Sequence, residues 1–125
     1  MLWFGVALTA CTLDFSVPAQ VTTELSVYQS DRQIFEGPVR VDDPIVMAIN
    51  DWIAAHSDEW SYAFITPLRR IYLYGANFSV NIQEHEVTVK YCHGTFNCHL
   101  FVKANEELFQ LIQNTATLRA LPLGN

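Results

Sequence analysis

Apolar and polar residues alternate from Val21 to Tyr28, with Val21, Thr23, Leu25 and Val27 on one side, as expected of a half-buried strand. Residues 29–32 read as a turn. Residues 33–41 resume an extended pattern that Gly37-Pro38 interrupts, which suits an edge strand or a bulge. The period then changes. Ile45, Ala48, Ile49, Trp52, Ile53 and His56 fall on one helical stripe, opposite Asn50, Asp51 and Ala54. Asp43 is placed to accept from the first free amides of that helix. Pro44 fits its first turn, where a missing N–H costs nothing. The helix should end near Ser57-Asp58. A buried Trp52 packed on a sheet is the plain expectation.

Residues 59–65 read as extended and stop at Thr66-Pro67. A segment from Arg70 to Tyr74 follows, then a turn at Gly75-Ala76-Asn77. Phe78, Val80 and Ile82 alternate with Ser79, Asn81 and Gln83. After a turn at Glu84-His85, Val87, Val89 and Tyr91 alternate with Glu86, Thr88 and Lys90. Leu100-Phe101-Val102 is a further extended stretch. Asn105 caps a last helix over residues 106–113, with Glu106 and Glu107 in its first turn and Leu108, Leu111 and Ile112 on its apolar face. Residues 115–125 show no pattern and read as a loose tail. The pattern predicts an α+β fold: an antiparallel sheet of about five or six strands packed on one amphipathic helix, with a short C-terminal helix. Residues 21–114 form its single globular domain.

Composition narrows the function classes. The chain has 125 residues, of which 50% are hydrophobic and 16% charged, so it can bury one core and does not read as disordered. Seven basic against 13 acidic residues give a net charge of −6, and only Arg69 and Arg70 are adjacent basic residues. That balance argues against a nucleic-acid partner, which needs clustered cations.

Three cysteines are present. Cys92 and Cys98 bracket five residues between two strand-like flanks. Facing positions of a hairpin approach closely enough for a disulfide, which a protein outside the cytosol can keep. Free thiols are a second state. A metal site is a third, because Cys92-His93 and Cys98-His99 repeat a Cys-His pair and His85 lies upstream; the ligand set would be Cys92, Cys98, His93, His99 and His85. Against it, adjacent strand residues point to opposite faces.

The uncharged run from Met1 to Ala10 is shorter than the roughly 20 residues that span a bilayer and matches the apolar part of an export signal. Leu8-Thr9-Ala10-Cys11 resembles a bacterial lipobox. The spacing of Trp60, Pro67, Gly75, Phe78, Asn81, Val87 and Tyr91 is similar to that of small bacterial (proteobacterial) lipoproteins of unknown function. The resemblance implies that residues 1–10 are an export signal of the lipoprotein type, without the basic residues with which such a signal starts, and that Cys11 is lipidated. Residues 11–20 would then be a tether, and acyl chains of the palmitate type would hold the protein on the periplasmic side of the cell envelope. Thr12, where an Asp would signal inner-membrane retention, points to the outer membrane.

Catalytic signatures are missing. No phosphate-cradling glycine loop, GxSxG elbow or HExxH helix occurs. Glu84 and Glu86 read as a solvated turn rather than an acid–base pair. No cofactor is called for, and no enzyme is expected. Trp60, Tyr62, Arg69, Arg70, Tyr72 and Tyr74 gather on neighbouring extended segments, and such residues are common at interaction hot spots. The expectation is a non-enzymatic envelope lipoprotein that binds a protein partner, for example as an immunity protein against a secreted toxin. The alternative is a small metal- or ligand-binding envelope domain built on the 85–99 hairpin.

Overall fold

A computed structural model describes residues 11–18, 23–29, 32–63, 68–93 and 97–118. The expected export signal, residues 1–10, lies outside the described residues. The described residues form seven strands and two helices in chain order: β1 (Thr23–Gln29), β2 (Arg32–Val39), α1 (Pro44–Ala55), β3 (Ser61–Tyr62), β4 (Ile71–Tyr74), β5 (Phe78–Ile82), β6 (Glu86–His93), β7 (Asn97–Ala104) and α2 (Glu107–Leu118). All strands join one antiparallel sheet in the order β2-β1-β4-β5-β6-β7-β3. The α+β character is as expected, but the sheet has seven strands rather than five or six.

One row of paired residues crosses the entire sheet: Gly37, Leu25, Leu73, Val80, Val89, Phe101 and Tyr62. Leu25, Leu73, Val80 and Val89 are buried, as are Val27, Ile71, Ile82 and Val87 in the next row. Alternation puts both rows on one face. Ile45, Val46, Ile49, Trp52 and Ile53 of α1 and Leu108, Phe109 and Ile112 of α2 join them in a single hydrophobic cluster. α1 starts as its sequence dictates: the Asp43 carboxylate accepts from the Ile45 amide at 2.9 Å, with Pro44 in the first turn.

The second helix is longer than expected. Asn105 Oδ1 accepts from the amides of Glu107 and Leu108, and the helix runs on to Leu118. Residues 115–118 therefore belong to a helix, not to a tail; residues 119–125 lie outside the described residues. A Gln110–Asn114 side-chain bond one turn apart supports the continuation.

The described part of the stretch expected to be a tether, residues 11–18, packs against the body; residues 19–20 lie outside the described residues. Leu13 and Val17 are 1% and 3% exposed. The backbones of Cys11 and Trp60 exchange hydrogen bonds of 2.7 and 2.8 Å. Leu13 N donates to Ser57 O, and Val17 N donates to the Asn50 side chain. Burial of Leu13 and Val17 outweighs the freedom that Pro18 and the polar spacing suggest. Trp60 is turned inward to meet this segment by Glu59, whose φ of 64° is left-handed.

Candidate functional site

The face of the sheet turned away from the helices carries the side chains between the core rows. β1 contributes Glu24, Ser26 and Tyr28. Register places Ser26 beside Tyr72 and Glu36, and Glu24 beside Tyr74. A β-bulge at Val27/Tyr28 shifts the β1–β2 pairing so that Gln33 faces Tyr28. The result is a hydrogen-bonded cluster. Tyr74 donates to Glu36 at 2.8 Å, Ser26 donates to the same carboxylate, and Gln33 Nε2 donates to both Ser26 and Tyr28. The Arg69 guanidinium lies 4.3 Å from the centre of the Tyr72 ring, and the Tyr72 and Tyr74 rings are 5.1 Å apart.

Electrostatics follow from those contacts. A hydrogen bond to the Tyr28 side chain raises the Arg69 pKa above its ordinary value, against an opposing effect of burial. The Tyr74 phenol is pushed above its ordinary value, first by the bond to Glu36, then by burial and by the charges of Glu36 and Glu24. Both groups keep their protonated forms across the physiological range.

Asn81, on the same face, holds the approach to β4. Its Oδ1 accepts from Arg70 N at 3.0 Å and its Nδ2 donates to Leu68 O at 2.9 Å. A cleft of about 190 Å³ opens at the β4–β5 turn, lined by Tyr72, Tyr74, Asn77, Ser79, Lys90 and Cys92.

Of the six aromatic and basic residues expected to form a partner surface, Arg69, Tyr72 and Tyr74 come together. Trp60 does not belong to a surface at all: it is 0% exposed, its indole donates to His56 O, and it meets Trp52 edge-on. Its size and burial outweigh any gain from display. Tyr62 is 51% exposed but sits on the far edge strand against Phe101. Arg70 turns instead to Glu84, at 2.9 Å, and to the Phe109 ring. Sequence reasoning missed Tyr28, Gln33, Ser26 and Glu36. The strand alternation sets Ser26 and Tyr28 opposite Leu25 and Val27, but which strand lies beside them is a matter of register.

Cys92 and Cys98 are directly opposed in the β6–β7 hairpin and form a disulfide, with Cα atoms 3.9 Å apart. The five-residue metal set does not assemble. Its two thiols are consumed by the disulfide. The bridge also lies on the face of Lys90 and the cleft, whereas His93 and His99 lie on the other. His85 is at the opposite end of β6, eight residues or about 26 Å of strand away, where it meets Glu106 at 3.1 Å. Among the described residues no group of three or more His, Cys, Asp or Glu side chains is placed to hold a metal ion.

Cys11 is half-buried, and its Sγ donates to Trp60 O at 3.3 Å. Among the described residues no helix is long and apolar enough to cross a membrane. No family model, curated protein or solved structure matches the chain.

Proposed function

We propose that this protein is a non-enzymatic binding module of the cell envelope that engages a protein partner through the tyrosine-rich face of its sheet. The observation that carries the reading is the Arg69–Tyr72–Tyr74–Glu36 cluster. Its side chains are held by hydrogen bonds and a cation–π contact on a rigid sheet, so little rotamer freedom remains to be lost on docking. Tyrosine and arginine contribute disproportionately to such contacts. A net charge of −6, with Glu24 and Glu36 within the face, favours a partner with a basic contact patch, drawn in by electrostatic steering. A secreted toxin neutralised by this chain would be one such partner.

The Cys92–Cys98 bridge supports an oxidising compartment, and Cys11 is the proposed point of lipid attachment. A thioether there gives up the thiol's bond to Trp60 O but leaves the two backbone bonds between Cys11 and Trp60 in place. Anchored this way, the body sits directly on the bilayer surface, because residues 11–17 are packed and supply no spacer.

Two experiments test the two halves. A partner captured from envelope extract by the native chain should be lost with Tyr72→Ala or Arg69→Ala and kept with Tyr62→Ser at the far edge; equal capture by all of them refutes the tyrosine face. Mass spectrometry of protein from native membranes should find acyl groups on Cys11 and residues 1–10 removed. A free thiol at Cys11 in an uncut chain refutes the lipid anchor.

A further inference from the structure

The β6–β7 hairpin brings together two imidazoles that the tyrosine face does not use. Tyr91 pairs with His99, and His93 pairs with Asn97, so His93 and His99 are diagonal neighbours on the same face of the ladder. Their ring centres are 6.3 Å apart. The Tyr91 ring meets His93 edge-on at 5.2 Å, and the His99 ring packs 6.2 Å from both Tyr91 and Phe101. The disulfide clips the two strands one residue away, on the opposite face. His93 is exposed and His99 half-buried, so both are reachable from solvent.

We propose that His93 and His99 form a two-imidazole site for a borderline divalent transition-metal ion of the zinc or copper class. Such ions take imidazole nitrogen at about 2.0–2.1 Å. For a tetrahedral angle that places the two ring centres about 5 Å apart. The rings need to close by only about 1 Å from their present separation, within the reach of a χ1 and χ2 adjustment at the exposed His93. Among the described residues no third His, Cys, Asp or Glu side chain joins the pair, and water would complete the coordination. An open site of this kind binds more weakly than a closed structural one. The clipped hairpin holds the backbone of both ligands on a rigid element, as a usable site requires. The proposal is independent of the tyrosine face and survives its failure.

The test is calorimetric titration of the full, disulfide-intact chain with zinc alone. One ion should bind per chain. His93→Ala should lose saturable binding, and so should His99→Gln, which keeps most of the side-chain volume against Phe101. Thermal melts of both variants should match the native protein, showing that the hairpin still folds. His85→Ala, altered at the other end of β6, should bind as the native chain does. With copper(II) in place of zinc, the paramagnetic spectrum should show coupling to two imidazole nitrogens. Absence of saturable zinc binding by the native chain, or its retention by the double variant His93→Ala/His99→Gln, overturns the proposal.

Discussion

Leu73 and Tyr72 are neighbours in β4 and point to opposite sides of one sheet. Leu73 is fully buried among Leu25, Val80 and the helices; Tyr72 is half-buried beside Tyr74, under the Arg69 guanidinium. The two central rows of the first face are apolar, and residues of both helices pack against them. The second is a network in which most polar groups find each other: Tyr74 with Glu36, Ser26 with Gln33 and Glu36, Asn81 with the backbone at Leu68 and Arg70. Burial of area holds the first face together and has no direction. Hydrogen bonds hold the second, and they need partners at set positions. Stability should therefore be concentrated on one face and recognition on the other.

The largest expected contrast comes from truncating the two neighbours. Leu73→Ala leaves a hole in the middle of the core and should cost about 2–5 kcal/mol of unfolding free energy by chemical denaturation. Tyr72→Ala removes a half-buried ring with its Tyr74 and Arg69 contacts and should cost about 1 kcal/mol, while removing the partner. Equal losses of stability at the two positions would mean that the second face is a second core rather than a docking surface.

How far this division was legible in the sequence depends on the distance over which each signal acts. The α1 cap at Asp43-Pro44, the Asn105 cap and the Cys92–Cys98 pairing are set by residues two to six positions apart, and the structure places them as the spacing implies. Leu25, Val80, Val89 and Ile53 could be assigned to the core because alternation or helical period points them one way. The strand order could not be read: β4 inserts beside β1, and β3 pairs with β7 at the far edge. Tyr28 and Glu36 thus become neighbours of Tyr72 and Tyr74 only through register. Trp60 looked like a surface residue because a single aromatic on an extended segment has no period to orient it. The packing of residues 11–17 rests on contacts with Trp60, Ser57 and Asn50, more than thirty positions away in sequence, and no local pattern announces it.

A smaller effect is expected from the clip on the second face. Reducing the disulfide, or replacing both cysteines by serine, reopens a short loop and should lower stability by about 2 kcal/mol on the chain-entropy account. The apolar rows lie on the other face, so the far-ultraviolet spectrum of the reduced protein should remain that of a folded sheet. Loss of that spectrum at neutral pH would show that the two faces do not hold independently.

Asn81 gives a finer contrast, because it is polar, 5% exposed and bonded only to backbone. Asn81→Ala leaves Arg70 N and Leu68 O without their partner and should cost about 1–2 kcal/mol. It also releases the backbone that positions Arg69 over Tyr72. Partner binding should therefore fall more than stability does, in contrast to a core truncation, which lowers the two together. Asn81→Asp keeps the acceptor for Arg70 N but sets a nearly buried carboxylate oxygen against Leu68 O, and should cost at least as much stability as the alanine variant.

The smallest expected effect is the titration of Tyr74. Its phenol is raised above the ordinary value of 10.0 because the protonated form donates to Glu36 and because deprotonation would set a phenolate beside Glu36 and Glu24. The folded state therefore favours the protonated phenol. The contribution is fully present below the unfolded value, near pH 10, and is lost as pH rises from there through the raised folded value. Ultraviolet titration of phenolate should show one tyrosine ionising later than an exposed one. Glu36→Gln should bring that transition down toward the ordinary range by removing both the charge and the strongest acceptor, and should leave the core rows untouched. A Tyr74 transition already at the ordinary value in the native chain would mean that the Tyr74–Glu36 bond does not persist in solution. The second face would then lose the preorganisation on which its proposed docking role rests.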